Sequence, residues 1–337
     1  MEFFKATEQQ LFHFNGRGYF DAKDEAFIFG NAGTNIRFSF SGDALRLSVG
    51  LKKRLISNAN FVRVLIDGQD HGRFPVKSRR QALDFHKLTD GRHFVEVIKE
   101  TESFCGLLAF YGAEASSVFK EEARQSKPIL FIGDSMTNGW GNRVSDDELQ
   151  DWTGSSSAFE GFAVQSAHDL KADYALNAIS GFGLYRNWNV EDDCLPLHYA
   201  KTFMPLAAQP ESGTEEAPSL VVIALGTNDI SSGDGEHYRS PFDAQQFISA
   251  YIDFIHHLSE LYQQPRFLLL NSVMYGGEKH EIINQTLRKV VHQVTALPID
   301  LLLMPPMACE GLSEHPSTAE HRLMADLLTD KIKQMGC

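Results

Sequence analysis

The residues able to do chemistry in this chain gather at the ends of short apolar runs. The run ILFI is followed by Gly133-Asp134-Ser135-Met136-Thr137, ALNAIS by Gly181-Phe182-Gly183, and VVIAL by Gly226-Thr227-Asn228-Asp229. Near the C-terminus, SEHPSTAEH holds His315 and His321 but no aspartate. A serine, turn glycines, an asparagine and a histidine are the parts acyl transfer needs. A hydroxyl nucleophile requires a neighbouring base to take its proton. The tetrahedral intermediate requires fixed N–H donors where its oxyanion forms. Ser135, expected at the start of a helical turn, can offer its own backbone N–H. Gly181, or the nearby Gly183, allows close backbone approach and a second donor, and the side-chain amide of Asn228 supplies a third.

Two histidines compete for the role of base. PSTAEHRLMADLLTDKI reads as a helix with Pro316 near its first position. That places His321 inside the helix as a packing or surface residue. His315 lies in the loop before it and is the expected base. The pair His256-His257 points to different sides of another helix and reads as solvated or structural. No HExxH or clustered His/Asp set is present, so a metal mechanism is not expected. GxSxG is absent as well, which argues against the nucleophile elbow of α/β-hydrolases.

The elements that must position these residues fall into two halves. From about residue 10 to 115 the apolar period is two: Ile36, Phe38, Phe40, then Leu45, Leu47, Val49, with Ser41-Gly42-Asp43 as the turn between. Asp67-Gly68 marks another bend. Several short strands separated by turn signals predict a β-sandwich of jelly-roll type. After FKEEARQSK, the runs PILFIG, YALNAIS, SLVVIAL, RFLLLN and IDLLLM alternate with helical stripes. One stripe is Phe159, Phe162, Ala163, Ala167 and Leu170. Others start at Phe247 and Ile283. This alternation predicts a parallel sheet covered on both faces, with ligands outside the carboxyl ends of its strands. The boundary falls near residues 118–127, giving a sandwich over 1–120 and a five-stranded α/β domain over 121–337. AAQPESGTEEAPS reads as a surface loop of the second domain.

Composition narrows the partners. With 43% hydrophobic and 22% charged residues the chain is an ordinary globular protein. A formal charge of −13 argues against nucleic-acid or anionic-membrane surfaces. Cys105, Cys194, Cys309 and Cys337 are far apart and read as free thiols. No signal segment or membrane-length apolar run is visible, so a cytoplasmic location is expected.

FIGDSMTNGWGN, NAISGFG, LGTND and HPS, in that order, resemble the four blocks of the SGNH subgroup of GDSL-type esterases. The resemblance covers roughly residues 128–335 and implies a flavodoxin-like domain. It also implies Ser135 as nucleophile, His315 as base, and Ser135, Gly181 and Asn228 as oxyanion donors. A narrower resemblance spans nearly the whole chain. A sandwich before such a domain, with VEVIKETESFCGLLAFYG at the junction and GLYRNW after the second block, is similar to carbohydrate esterase family two. That implies a small acetylated carbohydrate as substrate, with no metal and no cofactor. Trp140, Trp152 and Trp188 follow the first two blocks. Trp140 and Trp188 are the better candidates to face a sugar, although all three can equally pin loops.

In one respect the chain departs from the pattern. Many SGNH enzymes carry an acid three residues before the histidine, and some family-two relatives carry one two before. Here those positions are Leu312 and Ser313. A backbone carbonyl there can orient the imidazole, so a Ser135–His315 dyad is expected. Glu310 is the alternative orienter, while Glu314 is expected to point elsewhere. The competing functions are a broader acyl-thioesterase or lysophospholipase, and a non-catalytic sugar-binding protein.

Overall fold

Period-two burial builds the first half. Ile36, Phe38 and Phe40 on strand Asn35–Ser41, and Leu45, Leu47 and Val49 on strand Leu45–Arg54, are all buried. They share one core with Phe12, Phe27, Phe29, Val95, Val97, Leu108 and Phe110. The computed structural model describes residues 1–55, 60–120, 128–144, 154–204, 206 and 216–336. Two six-stranded antiparallel sheets enclose that core. One runs Gly18–Asp21, Ala26–Phe29, Gly106–Ala115, Leu45–Arg54, Gln81–Phe85, with Glu2–Lys5 added on Gly106–Ala115. The other runs Ser117–Phe119, Asn35–Ser41, Arg92–Lys99, Phe61–Ile66, Gln69–Pro75, with His13–Asn15 on Asn35–Ser41. Ser41-Gly42-Asp43 thus joins strands of opposite sheets and does not close a hairpin. Asp67-Gly68 does close one: Ile66 pairs with Gln69, and φ is 54° at Asp67 and 77° at Gly68, the positive values a two-residue hairpin loop requires.

Packing divides the chain into Met1–Gln125 with Lys201–Glu215, and Ser126–Ala200 with Glu216–Cys337. The segment from Lys201 is strapped to the sandwich. Phe203 packs with Ala26, Ile28, Leu107, Ala109 and Tyr111. Arg17 donates to the Lys201 carbonyl at 3.0 Å and Asn31 to that of Thr202 at 3.4 Å, while the Ser103 hydroxyl donates to the Met204 carbonyl. Most of the expected loop AAQPESGTEEAPS, the 121–127 junction, Trp152 and Cys337 lie outside the described residues.

The second unit holds a five-stranded parallel sheet. Its strands are Ile129–Gly133, Tyr174–Ala178, Leu220–Ala224, Arg266–Leu270 and Ile299–Leu302. They lie side by side in the order second, first, third, fourth, fifth, the flavodoxin-like arrangement, whose switch point lies between the first and third strands. The first four strands are almost wholly buried, as a doubly covered sheet requires. Among the described residues six α-helices accompany it: α1 (Ser135–Asn138), α2 (Phe162–Asp169), α3 (Thr227–Ile230), α4 (Ala244–Leu261), α5 (Gly277–Gln293) and α6 (Thr318–Met335). Pro316 sits one residue before the α6 N-cap, Ser317, and so outside the helix that the sequence pattern starts at it. No helix among the described residues is long and apolar enough to cross a membrane.

Candidate active site

Ser135 opens α1 directly beyond the first strand. Gly133 makes this tight exit possible: a Cβ there would lie 2.0 Å from Thr137 Oγ1 and 2.9 Å from the Ala224 carbonyl. Asp134 caps the helix, its Oδ1 accepting from the Met136 N–H at 3.1 Å. As the first residue of the helix, Ser135 has no intrahelical acceptor for its own N–H.

His315 reaches the serine across the domain. Its Nε2 lies 2.8 Å from Ser135 Oγ. Its Nδ1 lies 3.1 Å from the Leu312 carbonyl and 3.0 Å from that of Ser313. An Nδ1–H tautomer donates to both, leaving Nε2 as the acceptor that faces the hydroxyl. The backbone bends sharply to aim both carbonyls at the ring. Ser313 and Glu314 have φ of 49° and 58°, and Cys309 upstream has 57°. Left-handed backbone costs roughly 1–2 kcal/mol at each such residue, so surrounding bonds must hold it. Leu312 N–H donates to the Gly141 carbonyl at 3.0 Å and Gly311 N–H to the His315 carbonyl at 2.8 Å. Glu310 and Glu314 are exposed, and their side chains make no hydrogen bond to the imidazole among the described residues. The Trp140 ring stands 4.5 Å from that of His315.

The second and third blocks meet beside the serine. Asn228, in the first turn of α3, donates through Nδ2 to Asp134 Oδ2 at 3.1 Å and to the Phe182 carbonyl at 2.9 Å. These bonds tie the asparagine to the cap of the serine helix and to the residue after Gly181. Gly181 has φ of 82°, and a Cβ on it would lie 2.8 Å from Trp188 Cδ1, so the indole rests on the glycine. Gly183 N–H already donates to Asn187 Oδ1 at 3.4 Å. Among the described residues the Gly181 N–H meets no protein acceptor, which separates the two glycines. Trp188 is 41% exposed.

Beneath these groups lies a charged network to which the sequence reading assigned no role. The Asp229 carboxylate accepts from the N–H groups of Leu184, at 2.8 Å, and Tyr185, at 2.9 Å. Arg186, wholly buried, donates to the Asp229 carbonyl at 2.8 Å and to Ser240. Arg239 donates to the Asn228 and Asn187 carbonyls. Burial pushes the Asp134 carboxyl up to about 7, against the Met136 N–H that favours its charged form, with Asp229 adding to the rise. Burial likewise pushes Asp229 up to about 6. Asp229 and Arg186 stand inside the quoted LGTND and GLYRNW, and a buried charge requiring partners was the missing signal.

His321 belongs to packing. It is fully buried in α6, its Nδ1 accepts from the Phe162 N–H at 3.2 Å, and burial lowers it to about 3, so it stays neutral. His256 and His257 are exposed. Among the described residues no group of three or more His, Cys, Asp or Glu could hold a metal.

Comparison with known proteins agrees with this arrangement. Residues 14–120 match the "Carbohydrate esterase 2 N-terminal" family model, and residues 131–326 match the "GDSL-like Lipase/Acylhydrolase family". A Cellvibrio japonicus protein named acetylxylan esterase / glucomannan deacetylase is 28% identical over 88% of this chain and 82% of its own. The structure of a family two carbohydrate esterase from Clostridium thermocellum in complex with cellohexaose superposes with a TM-score of 0.81 at 25% identity, covering 96% of this chain and 98% of that one. A family two carbohydrate esterase from Cellvibrio japonicus, 21% identical, shares the fold with a TM-score of 0.84 over 99% of this chain and 97% of that one. A matching family model over most of the parallel-sheet unit, together with these relatives, leads to one statement: the chain belongs to the GDSL-like lipase/acylhydrolase family and is a carboxylic ester hydrolase.

Proposed function

We propose that this hydrolase removes acetyl groups from sugars or oligosaccharides through an acyl-enzyme on Ser135. The observation that carries the reading is the 2.8 Å contact between Ser135 Oγ and His315 Nε2, with Nδ1 turned to two carbonyls. Ser135 Oγ attacks the acetyl carbon while His315 Nε2 takes its proton. The oxyanion is met by the N–H groups of Ser135 and Gly181 and by the Asn228 amide, whose two N–H groups now reach Asp134 and Phe182 and one of which is then shared with the oxyanion. Collapse breaks the bond to the sugar oxygen, which leaves with the proton from Nε2. Water then attacks the acetyl-enzyme, giving its proton to the same nitrogen; collapse breaks the bond to Ser135 Oγ, which takes that proton back, and acetate is released. No carboxylate takes part: the carbonyls of Leu312 and Ser313 hold the ring as a Ser–His dyad.

The sugar assignment draws on the relatives, whose printed names are acetylxylan esterase / glucomannan deacetylase and a carbohydrate esterase bound to cellohexaose. Trp188, half open above Gly181, and Trp140, beside His315, offer ring faces to the C–H face of a sugar. The test is hydrolysis of acetyl, butyryl and octanoyl nitrophenyl esters and of acetylated oligosaccharides by wild type and Ser135→Ala. Acetate release that falls with chain length and vanishes in the variant is expected. A Ser135-dependent preference for octanoyl would replace the substrate class, and equal background from both proteins would overturn the reading.

A further inference from the structure

Two backbone carbonyls face His315 Nδ1, which raises the question of what holds them in place. The loop from Cys309 to Ser317 carries His315, and three of its non-glycine residues sit in left-handed backbone. One buried carboxylate, on Glu320 of α6, gathers both ends of that loop. Its Oε1 accepts from the Cys309 N–H at 2.6 Å. Its Oε2 accepts from the Glu310 N–H at 3.0 Å, the Ser317 N–H at 2.8 Å and the Ser317 hydroxyl at 2.9 Å.

A capping box needs only part of this. In that motif the glutamate three residues into a helix returns one bond to the N-cap N–H, and Ser317 and Glu320 satisfy it. The bonds to Cys309 and Glu310 exceed that requirement and run to chain upstream of the histidine. The charge is retained as well. Burial acts to raise the Glu320 carboxyl, yet the Ser317 and Glu310 N–H groups and the Ser317 hydroxyl hold it below its ordinary value. Hydrogen bonds to a charged acceptor are about twice as strong as neutral ones, so the clamp suits a strained loop.

We propose that Glu320 is a positioning residue for the reaction: by clamping Cys309, Glu310 and Ser317 it fixes the loop that points the Leu312 and Ser313 carbonyls at His315. It orients the imidazole at one remove, through the backbone and without touching the ring. This inference rests on the esterase reading above, and on His315 as its base.

The experiment compares wild type, Glu320→Gln, Ser317→Ala and Ser135→Ala on a nitrophenyl acetate, with thermal melting of each. Glu320→Gln keeps the volume but turns amide hydrogens toward N–H donors. It is expected to lose about 30-fold or more in kcat, roughly 2 kcal/mol of barrier, with KM within about threefold and assays run below its melting midpoint. The downfield Nδ1–H proton resonance of His315 is expected to weaken or shift in that variant. Ser317→Ala removes the cap and the hydroxyl's bond to Glu320 but leaves the Cys309, Glu310 and Ser317 N–H groups on the carboxylate, and is expected to lose no more than about threefold. Should Glu320→Gln not fold, Glu320→Asp keeps the charge but falls one methylene short of the upstream N–H groups, and the same loss in kcat is expected. Equal losses in Ser317→Ala and Glu320→Gln, or a folded Glu320 variant with wild-type kcat and Nδ1–H resonance, would overturn the proposal while leaving the esterase reading intact. Activity that survives Ser135→Ala would instead remove the reading beneath it.

Discussion

If two carbonyls orient His315, the carboxylates of Glu310 and Glu314 are dispensable. The perturbation is Glu310→Gln, Glu314→Gln and the double variant. Nδ1 has its acceptors at 3.1 and 3.0 Å without either side chain, and both glutamates are exposed. What each charge can add is a through-water attraction to the imidazolium formed during attack. Two unit charges in water attract by about 1 kcal/mol at 4 Å, equivalent to a rate factor of about five. A triad acid bonded to its histidine is worth ~10⁴ in kcat, roughly 5 kcal/mol. The two accounts therefore differ by about three orders of magnitude. Steady-state kcat on a nitrophenyl acetate, with melting curves to confirm folding, separates them. Each single variant is expected within about tenfold of wild type. A loss near 10⁴ in a folded Glu310→Gln or Glu314→Gln would refute the dyad and identify the acid.

Two further outcomes follow from the same geometry. Gly181→Ala places a Cβ 2.8 Å from Trp188 Cδ1 at a φ of 82°; a stability loss of roughly 1–2 kcal/mol and a fall in kcat of about 10² through displacement of its N–H are expected, and unchanged kcat would refute the need for a glycine there. His321 is depressed from 6.5 to about 3 in the folded chain, so the unfolded chain takes up the proton first as pH falls. Stability present above pH 6.5 is lost on the way down towards pH 3, about 2 kcal/mol of it between pH 6.5 and 5. Urea unfolding of wild type and His321→Gln should show that slope reduced in the variant, which keeps an acceptor for the Phe162 N–H; identical slopes would refute it.

The parts of the site legible in the sequence share one property: they follow strands. Ser135, Gly181 and Asn228 each stand just beyond an apolar run, and parallel topology carries such residues to one edge. His315 was legible because proline and a helical stripe separate it from His321. Alternation likewise announced the sandwich. Hidden from that reading were groups whose partners lie far along the chain. Asp229 receives N–H groups from Leu184 and Tyr185, and Arg239 braces the Asn228 carbonyl; no local period encodes such pairings. Glu320 could have been suspected from the Ser317-x-x-Glu320 spacing, but its bonds to Cys309 and Glu310 require the loop's three-dimensional path. Alternation places the turn at Ser41-Gly42-Asp43 but does not say that it crosses between sheets, because it reports which face is buried, not which sheet the strand joins.

The strap formed by Lys201 to Met204 makes the first unit discontinuous in sequence. The chain leaves the sandwich, builds the first two parallel strands, comes back to the sandwich, and leaves again for the remaining three. No single cut releases the two units as separate intact chains, so they cannot be shuffled between genes as independent cassettes. On the ribosome, the apolar surface around Ile28, Leu107 and Ala109 emerges well before Phe203 arrives to cover it, and the sandwich reaches its final form only after part of the catalytic sheet has been made. Such long-range closure slows folding and exposes intermediates, and it couples the maturation of one unit to synthesis of the other.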